Sequence, residues 1–253
     1  MNKRVMKSSL LLCGALVCAA AGRVSQADDV HVAVAANFLS TLQQVADGFS
    51  KQSPHRVIIS SGSTGKLYAQ IVHGAPYEIF LAADAERPQR LEREGYGVKN
   101  SRYTYARGRL ALWSRDARRV DAKGGVLQAD AIGHLAMANP RTAPYGLAAQ
   151  QTLQYLGRWS TWQPHIVQGE DIGQVLQFVH SGAAELGFVA YAQVKQRAVG
   201  SYWLVPQAYH APLEQQVVLL QRGAEATAAL AFMRYLRSAE VRRLIEDAGY
   251  DVP

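Results

Sequence analysis

The segment Ser61-Gly62-Ser63-Thr64-Gly65-Lys66 is the first place in this 253-residue chain where small polar residues, glycines and a cation gather as they do in a phosphate cradle. A nucleotide P-loop needs four residues between its glycines and a Ser or Thr after the Lys. Here two residues separate Gly62 from Gly65 and Leu67 follows Lys66, which argues against nucleotide chemistry. No Gly-x-Ser-x-Gly elbow presents a nucleophile. The seven histidines are scattered, with neither His-x-His nor His-Glu-x-x-His spacing, so no metal site is expected. Asp28-Asp29 and Glu170-Asp171 are adjacent in sequence and read as solvated loop charges. Asp84, after Phe80-Leu81-Ala82-Ala83, is expected to serve a helix start. Arg115, Arg118, Arg119 and Lys123 lack interleaved aromatics, so nucleic acid is not expected as a partner. What remains is a set of small, neutral hydrogen-bond donors in loops.

The charge balance is consistent with that. The chain carries 27 Lys and Arg against 20 Asp and Glu, a formal +7. Four of the cations (Lys3, Arg4, Lys7, Arg23) and both cysteines (Cys13, Cys18) lie in residues 1–27, around an apolar run from Leu10 to Ala21 that ends in Ser25-Gln26-Ala27. This is the pattern of a cleavable export signal, cut after Ala27, and the apolar run is short of the roughly 20 residues that span a bilayer. The remainder is expected outside the cytoplasm, with a balance of +3 and no thiol.

Those loops need elements to position them. Val30–Ala36 reads as a buried strand, and Phe38, Leu42, Val45 and Phe49 recur at helical spacing after it, with Asn37 at the N-cap position. Val57–Ser60 is a strand that runs through Ser61–Gly65 into a helix, and Tyr77–Ala82 leads through Asp84 into another. A second series follows: strands at Leu110–Trp113, His134–Ala138, Ile166–Val167 and Leu186–Ala190, helices at Leu147–Leu156 and around Ile172–Val179. Val217–Leu220 and two helices close the chain. Repeated β-to-α units imply parallel strands and an α/β class, in two lobes with a cleft between them. Each polar loop then precedes a helix N-terminus, where unpaired N–H groups favour an anion.

Val34-Ala35-Ala36-Asn37-Phe38-Leu39, Ser60 to Gly65, Val72-His73-Gly74-Ala75-Pro76-Tyr77, Leu81-Ala82-Ala83-Asp84, Asn139-Pro140 through Ala143-Pro144-Tyr145-Gly146, and Leu186-Gly187-Phe188-Val189 stand in an order that resembles the periplasmic molybdate-binding proteins of ABC importers. The resemblance covers essentially the whole chain after the export segment. It implies a type II periplasmic binding protein fold: two Rossmann-like lobes joined by two crossover segments, with residues 28–107 plus 194–253 as lobe I and 108–193 as lobe II. It implies molybdate or tungstate as ligand, no cofactor, no enzymatic activity, a monomer, and a transient partner in the membrane permease. Residue by residue, it places ligand contacts at Asn37 beside the backbone of Ala36, at Thr64 beside Ser63, at Tyr145, and at the backbone of Ile172. One position departs from the family pattern: where some relatives have a ligand-binding tyrosine this chain has Ala190, and Tyr191, one residue on, is not expected to replace it. Tyr145 is expected to do that work.

A molybdate dianion accepts hydrogen bonds and donates none at neutral pH, so amide N–H and hydroxyl groups suffice to hold it. Sulfate has shorter element-to-oxygen bonds, which would stretch donors spaced for molybdate. Protonated phosphate needs an acceptor; Asp84 is the nearest in sequence and is not expected to touch the ligand. The alternatives are a receptor for another tetrahedral oxyanion such as sulfate, or a secreted hydrolase using Asp84 or a lone histidine.

Overall fold

The computed structural model describes residues 28–131, 133–195 and 199–253; the expected export segment lies outside them. The first of two five-stranded sheets holds β1 (Asp29–Ala35), β2 (Arg56–Gly62), β3 (Ile79–Leu81), β4 (Tyr103–Gly108) and β10 (Leu213–Leu219), in the order β2-β1-β3-β10-β4. The second holds β5 (Leu110–Ser114), β6 (Leu135–Ala138), β7 (Ile166–Gly169), β8 (Leu186–Ala190) and β9 (Ser201–Leu204), in the order β7-β6-β8-β5-β9. In each sheet four strands run one way and one runs against them: β10 between β3 and β4, and β5 between β8 and β9.

Helices fill the connections. In the first lobe α1 (Leu39–Gln52), α2 (Thr64–Val72) and α3 (Glu86–Arg93) follow β1, β2 and β3. In the second, α4 (Pro144–Tyr155) and the short α5 (Trp159–Trp162) follow β6, α6 (Ile172–Ser181) follows β7, and α7 (Tyr191–Val194) follows β8. The chain ends with α8 (Thr227–Tyr235) and α9 (Ala239–Ala248) on the first lobe. β1 is an interior strand between β2 and β3, and Val30, Val32, Ala33 and Val34 are all fully buried, which is why its sequence is a near-continuous apolar run. α1 buries Leu42, Val45 and Phe49 on one stripe at helical spacing. α6 is bounded by chemistry at both ends: Asp171 caps its first turn, and Gly182, at φ +84°, takes the left-handed conformation that ends it.

Arg109 alone separates β4 from β5, and residues 205–212 carry the chain back to β10. The expected return to the first lobe at residue 194 is too early. β9 pairs with β5 from Ser201↔Ser114 to Leu204↔Ala111, and Trp203 and Val205 are buried in the second core. Residues 201–205 therefore belong to the second lobe. The strand is four residues long and covers what would otherwise be the open edge of β5.

Candidate functional site

Four chain turns meet between the lobes, each where a strand gives way to a helix. From the first lobe come the turn after β1 (Ala35, Ala36, Asn37) and the turn after β2 (Gly62, Ser63, Thr64); from the second come the start of α4 (Ala143, Pro144, Tyr145) and the start of α6 (Asp171, Ile172). With Ala83 they line one small cavity between the lobes. All six residues expected at the ligand, Ala36, Asn37, Ser63, Thr64, Tyr145 and Ile172, line this one space. All but Ala36 are 3% exposed or less. Among the described residues, the wall has no lysine or arginine.

The local backbone explains the arrangement. Ala35, Ser63, Ala143 and Asp171 are extended residues immediately before helical turns, so the next N–H groups have no intrahelical partner and point out of the helix start. Pro144 fits the first helical position of α4, where an N–H would be unpaired in any case. Asp171 is the one carboxylate in the wall, and its Oδ1 accepts from the Gly173 and Gln174 N–H groups at 2.8 and 3.0 Å, leaving the Ile172 N–H for the cavity. Asp171 is thus a helix cap and not the solvated loop charge its sequence suggests.

Three hydroxyls in the wall have hydrogens to give. Ser63 Oγ is buried with no hydrogen-bond partner among the described residues, an arrangement that costs stability unless a bound molecule satisfies it. Thr64 Oγ1 accepts from the Ala83 N–H at 3.1 Å, which leaves its proton free. Tyr145 Oη accepts from Gln215 Nε2 at 3.2 Å. Burial pushes the Tyr145 phenol far above its usual pKa, so it stays a neutral donor across the physiological range.

Asn37 departs from expectation. It is not an N-cap: it sits inside a one-turn 3₁₀ segment (Ala36–Phe38), and Ala35 precedes that turn. Its side-chain Nδ2 donates to Gln215 Oε1 at 2.8 Å and to Tyr250 Oη at 3.2 Å. Both amide hydrogens are therefore committed beneath the cavity, and the donor Asn37 offers to the space itself is its backbone N–H. Gln215, Tyr250 and Gly108 go unnoticed in the sequence because each is far along the chain; a Cβ on Gly108 would overlap the Tyr145 hydroxyl.

Asp84 does not line the cavity. Its carboxylate accepts from the Arg87 N–H at 3.1 Å in the first turn of α3 and pairs with the Arg87 guanidinium; burial raises its pKa while Arg87 opposes the rise. Tyr191 is also elsewhere, under Arg109 at 5.2 Å and tilted against Tyr202, because α7 begins at Tyr191.

The lobes also touch around the cavity. The Gly65 N–H donates to the Thr142 carbonyl at 2.8 Å, Lys66 Nζ lies 2.5 Å from Glu170 Oε2, and Arg87 Nη2 donates to the Arg141 carbonyl at 3.2 Å. Gly65 permits this approach: a Cβ there would stand 3.0 Å from both the Cα and the carbonyl oxygen of Thr142.

Comparison with known proteins agrees with this architecture. Residues 30–251 match the family model described as bacterial extracellular solute-binding protein. The chain is 45% identical over 224 residues to the molybdate-binding protein ModA of Rhodobacter capsulatus (88% of each chain), and 46% identical over 240 residues to that of Azotobacter vinelandii (94% of this chain, 93% of the other). The solved Azotobacter vinelandii periplasmic molybdate-binding protein superposes with a TM-score of 0.85 at 44% identity, covering 88% of this chain and 99% of its own. A sulfate-binding protein from Mycobacterium tuberculosis shares the fold at 12% identity and a TM-score of 0.71, covering 89% of this chain and 87% of its own. From strand order, cleft and sequence together, the chain belongs to the bacterial extracellular solute-binding proteins.

Proposed function

We propose that this protein is the receptor of an ABC importer that captures molybdate, and tungstate with it, between its lobes and hands the anion to a membrane permease. The observation that carries the reading is an interlobe cavity lined by neutral donors: the buried Ser63, Thr64 and Tyr145 hydroxyls and the helix-start N–H groups of Asn37 and Ile172. Relatives named for molybdate at 45–46% identity over nearly the whole chain support the choice of anion.

The energetics favour local donors. Each well-made hydrogen bond to a charged group contributes roughly 1.5–3 kcal/mol, whereas a unit charge about 15 Å away in water contributes on the order of 0.3 kcal/mol. A handful of such bonds holds a dianion without a counter-charge, and the modest positive balance of the exported chain acts on encounter. The protein works as a monomer in the periplasm after export and cleavage behind Ala27.

The test is calorimetric titration of the exported protein with molybdate, tungstate, sulfate and phosphate. Molybdate and tungstate should bind far more tightly than sulfate, and phosphate should not bind measurably. A tighter response to sulfate than to molybdate would replace this reading with that of a sulfate receptor.

A further inference from the structure

Beneath the cavity, a set of buried side chains connects the lobes in an order that fixes where each hydrogen goes. Tyr250 Oη lies 2.7 Å from the backbone carbonyl of Asn37, and a carbonyl can only accept, so the single phenolic hydrogen is spent there. The Asn37 side chain stands 3.2 Å from the same Oη. That oxygen has no hydrogen left to give, so the atom facing it must be Nδ2. The second hydrogen of Nδ2 points to Gln215, 2.8 Å away, which therefore presents Oε1 to Asn37; Tyr105 Oη stands 3.1 Å from the same Oε1. The other end of the Gln215 amide is then Nε2, which can only donate, and it faces Tyr145 Oη at 3.2 Å. Tyr145 must accept at that contact, and its own hydrogen is left for the cavity.

Local structure is built to hold Gln215 in this role. Its strand pairing is irregular between Gln215 and Gln216, so that both consecutive side chains are buried, Gln215 completely, where a regular strand would turn one of them outward. Gln215 lies on β10 of the first lobe and Tyr145 on α4 of the second, so the contact exists where the lobes meet.

We propose that Gln215 is a positioning residue that fixes the sense of the Tyr145 hydroxyl, so that Tyr145 can only donate to the bound oxyanion. A freely rotating phenol could accept a hydrogen from a protonated anion; one already accepting from Gln215 cannot turn to do so without breaking that bond. Gln215 thereby sets selectivity against protonated oxyanions such as hydrogen phosphate without touching the ligand. This inference rests on the oxyanion-receptor reading above.

The test is a double-mutant cycle: the wild type, Gln215→Glu, Tyr145→Phe and the double variant, each titrated with molybdate and with inorganic phosphate at pH 6, with thermal unfolding to report folding. A carboxylate at 215 has nearly the shape of the amide and can only accept when ionised, so it draws the Tyr145 hydrogen away from the cavity. Gln215→Glu should weaken molybdate binding about tenfold or more and narrow the molybdate-to-phosphate ratio. In the Tyr145→Phe background the same change should cost a clearly smaller factor, since no hydroxyl remains to be turned. Gln215→Met, which neither donates nor accepts strongly, serves the same cycle if the buried carboxylate prevents folding; it too should narrow the ratio only while the Tyr145 hydroxyl is present. An equal cost in both backgrounds would mean that residue 215 acts through charge or packing, and would overturn the inference. A wild type that does not bind molybdate would instead remove the receptor reading itself.

Discussion

The two lobes share a strand order, yet they meet the cavity with different chemistry. On the first lobe, Ser63 and Thr64 offer hydroxyls at the start of α2; both are carried by that lobe's own backbone, and Thr64 is fixed further by the Ala83 N–H. On the second lobe, Ile172 contributes a helix-start N–H, and Tyr145 is the residue whose side-chain hydroxyl reaches the space. Tyr145 in turn accepts from Gln215 of the first lobe. One half of the site is therefore complete within its lobe, while the other acquires the sense of its hydroxyl donor from across the cleft. This is a physical route by which closure and recognition become the same event.

The largest effect is expected on the first lobe. Ser63→Ala should weaken molybdate binding about tenfold or more, because it removes a charge-assisted donor. It should not lower the unfolding midpoint of the unliganded protein, since Ser63 Oγ has no partner among the described residues to lose. Paired calorimetry and thermal unfolding check both halves of the expectation.

A smaller effect is expected from the contact that brings the lobes together. In Gly65→Ala the added methyl presses on the Thr142 backbone only when the cleft is shut. Affinity should fall about fivefold while unliganded stability is unchanged, and small-angle scattering should show less compaction on adding molybdate. The smallest effect belongs to Lys66→Ala. The Lys66–Glu170 pair is at least half exposed at both ends, so its loss should change affinity by less than about fivefold, and that difference should vanish in 1 M salt.

The sequence shows some of this site and hides the rest for identifiable reasons. β1, β6 and β8 are legible because they are buried on both faces and so are nearly all apolar. β4 and β9 are not: Tyr103–Gly108 mixes Tyr, Thr, Arg and Gly and is held by pairing with β10, while β9 is only four residues long. The polar turns after β1 and β2 announce themselves as small donors before helix starts, and the family resemblance adds Tyr145 and Ile172. Gln215 gives no such signal. It lies 178 residues from Asn37 and 70 from Tyr145, and as one of two adjacent glutamines in a strand it looks like ordinary surface polarity until the bulge buries it. The fate of the Asn37 amide is hidden for the same reason, because its partners come from β10 and from Tyr250 at the other end of the chain.

On the proposed function, neutral donors from both lobes hold a molybdate dianion in the interlobe cavity. A crystal structure of the protein with molybdate tests it most directly. Molybdate oxygens are expected within hydrogen-bond distance of Ser63 Oγ, Thr64 Oγ1, Tyr145 Oη and the N–H groups of Asn37 and Ile172, with Gln215 still bonded to Tyr145. Molybdate bound elsewhere, or one of its oxygens resting on the carboxylate of Asp84 or Asp171, would contradict it.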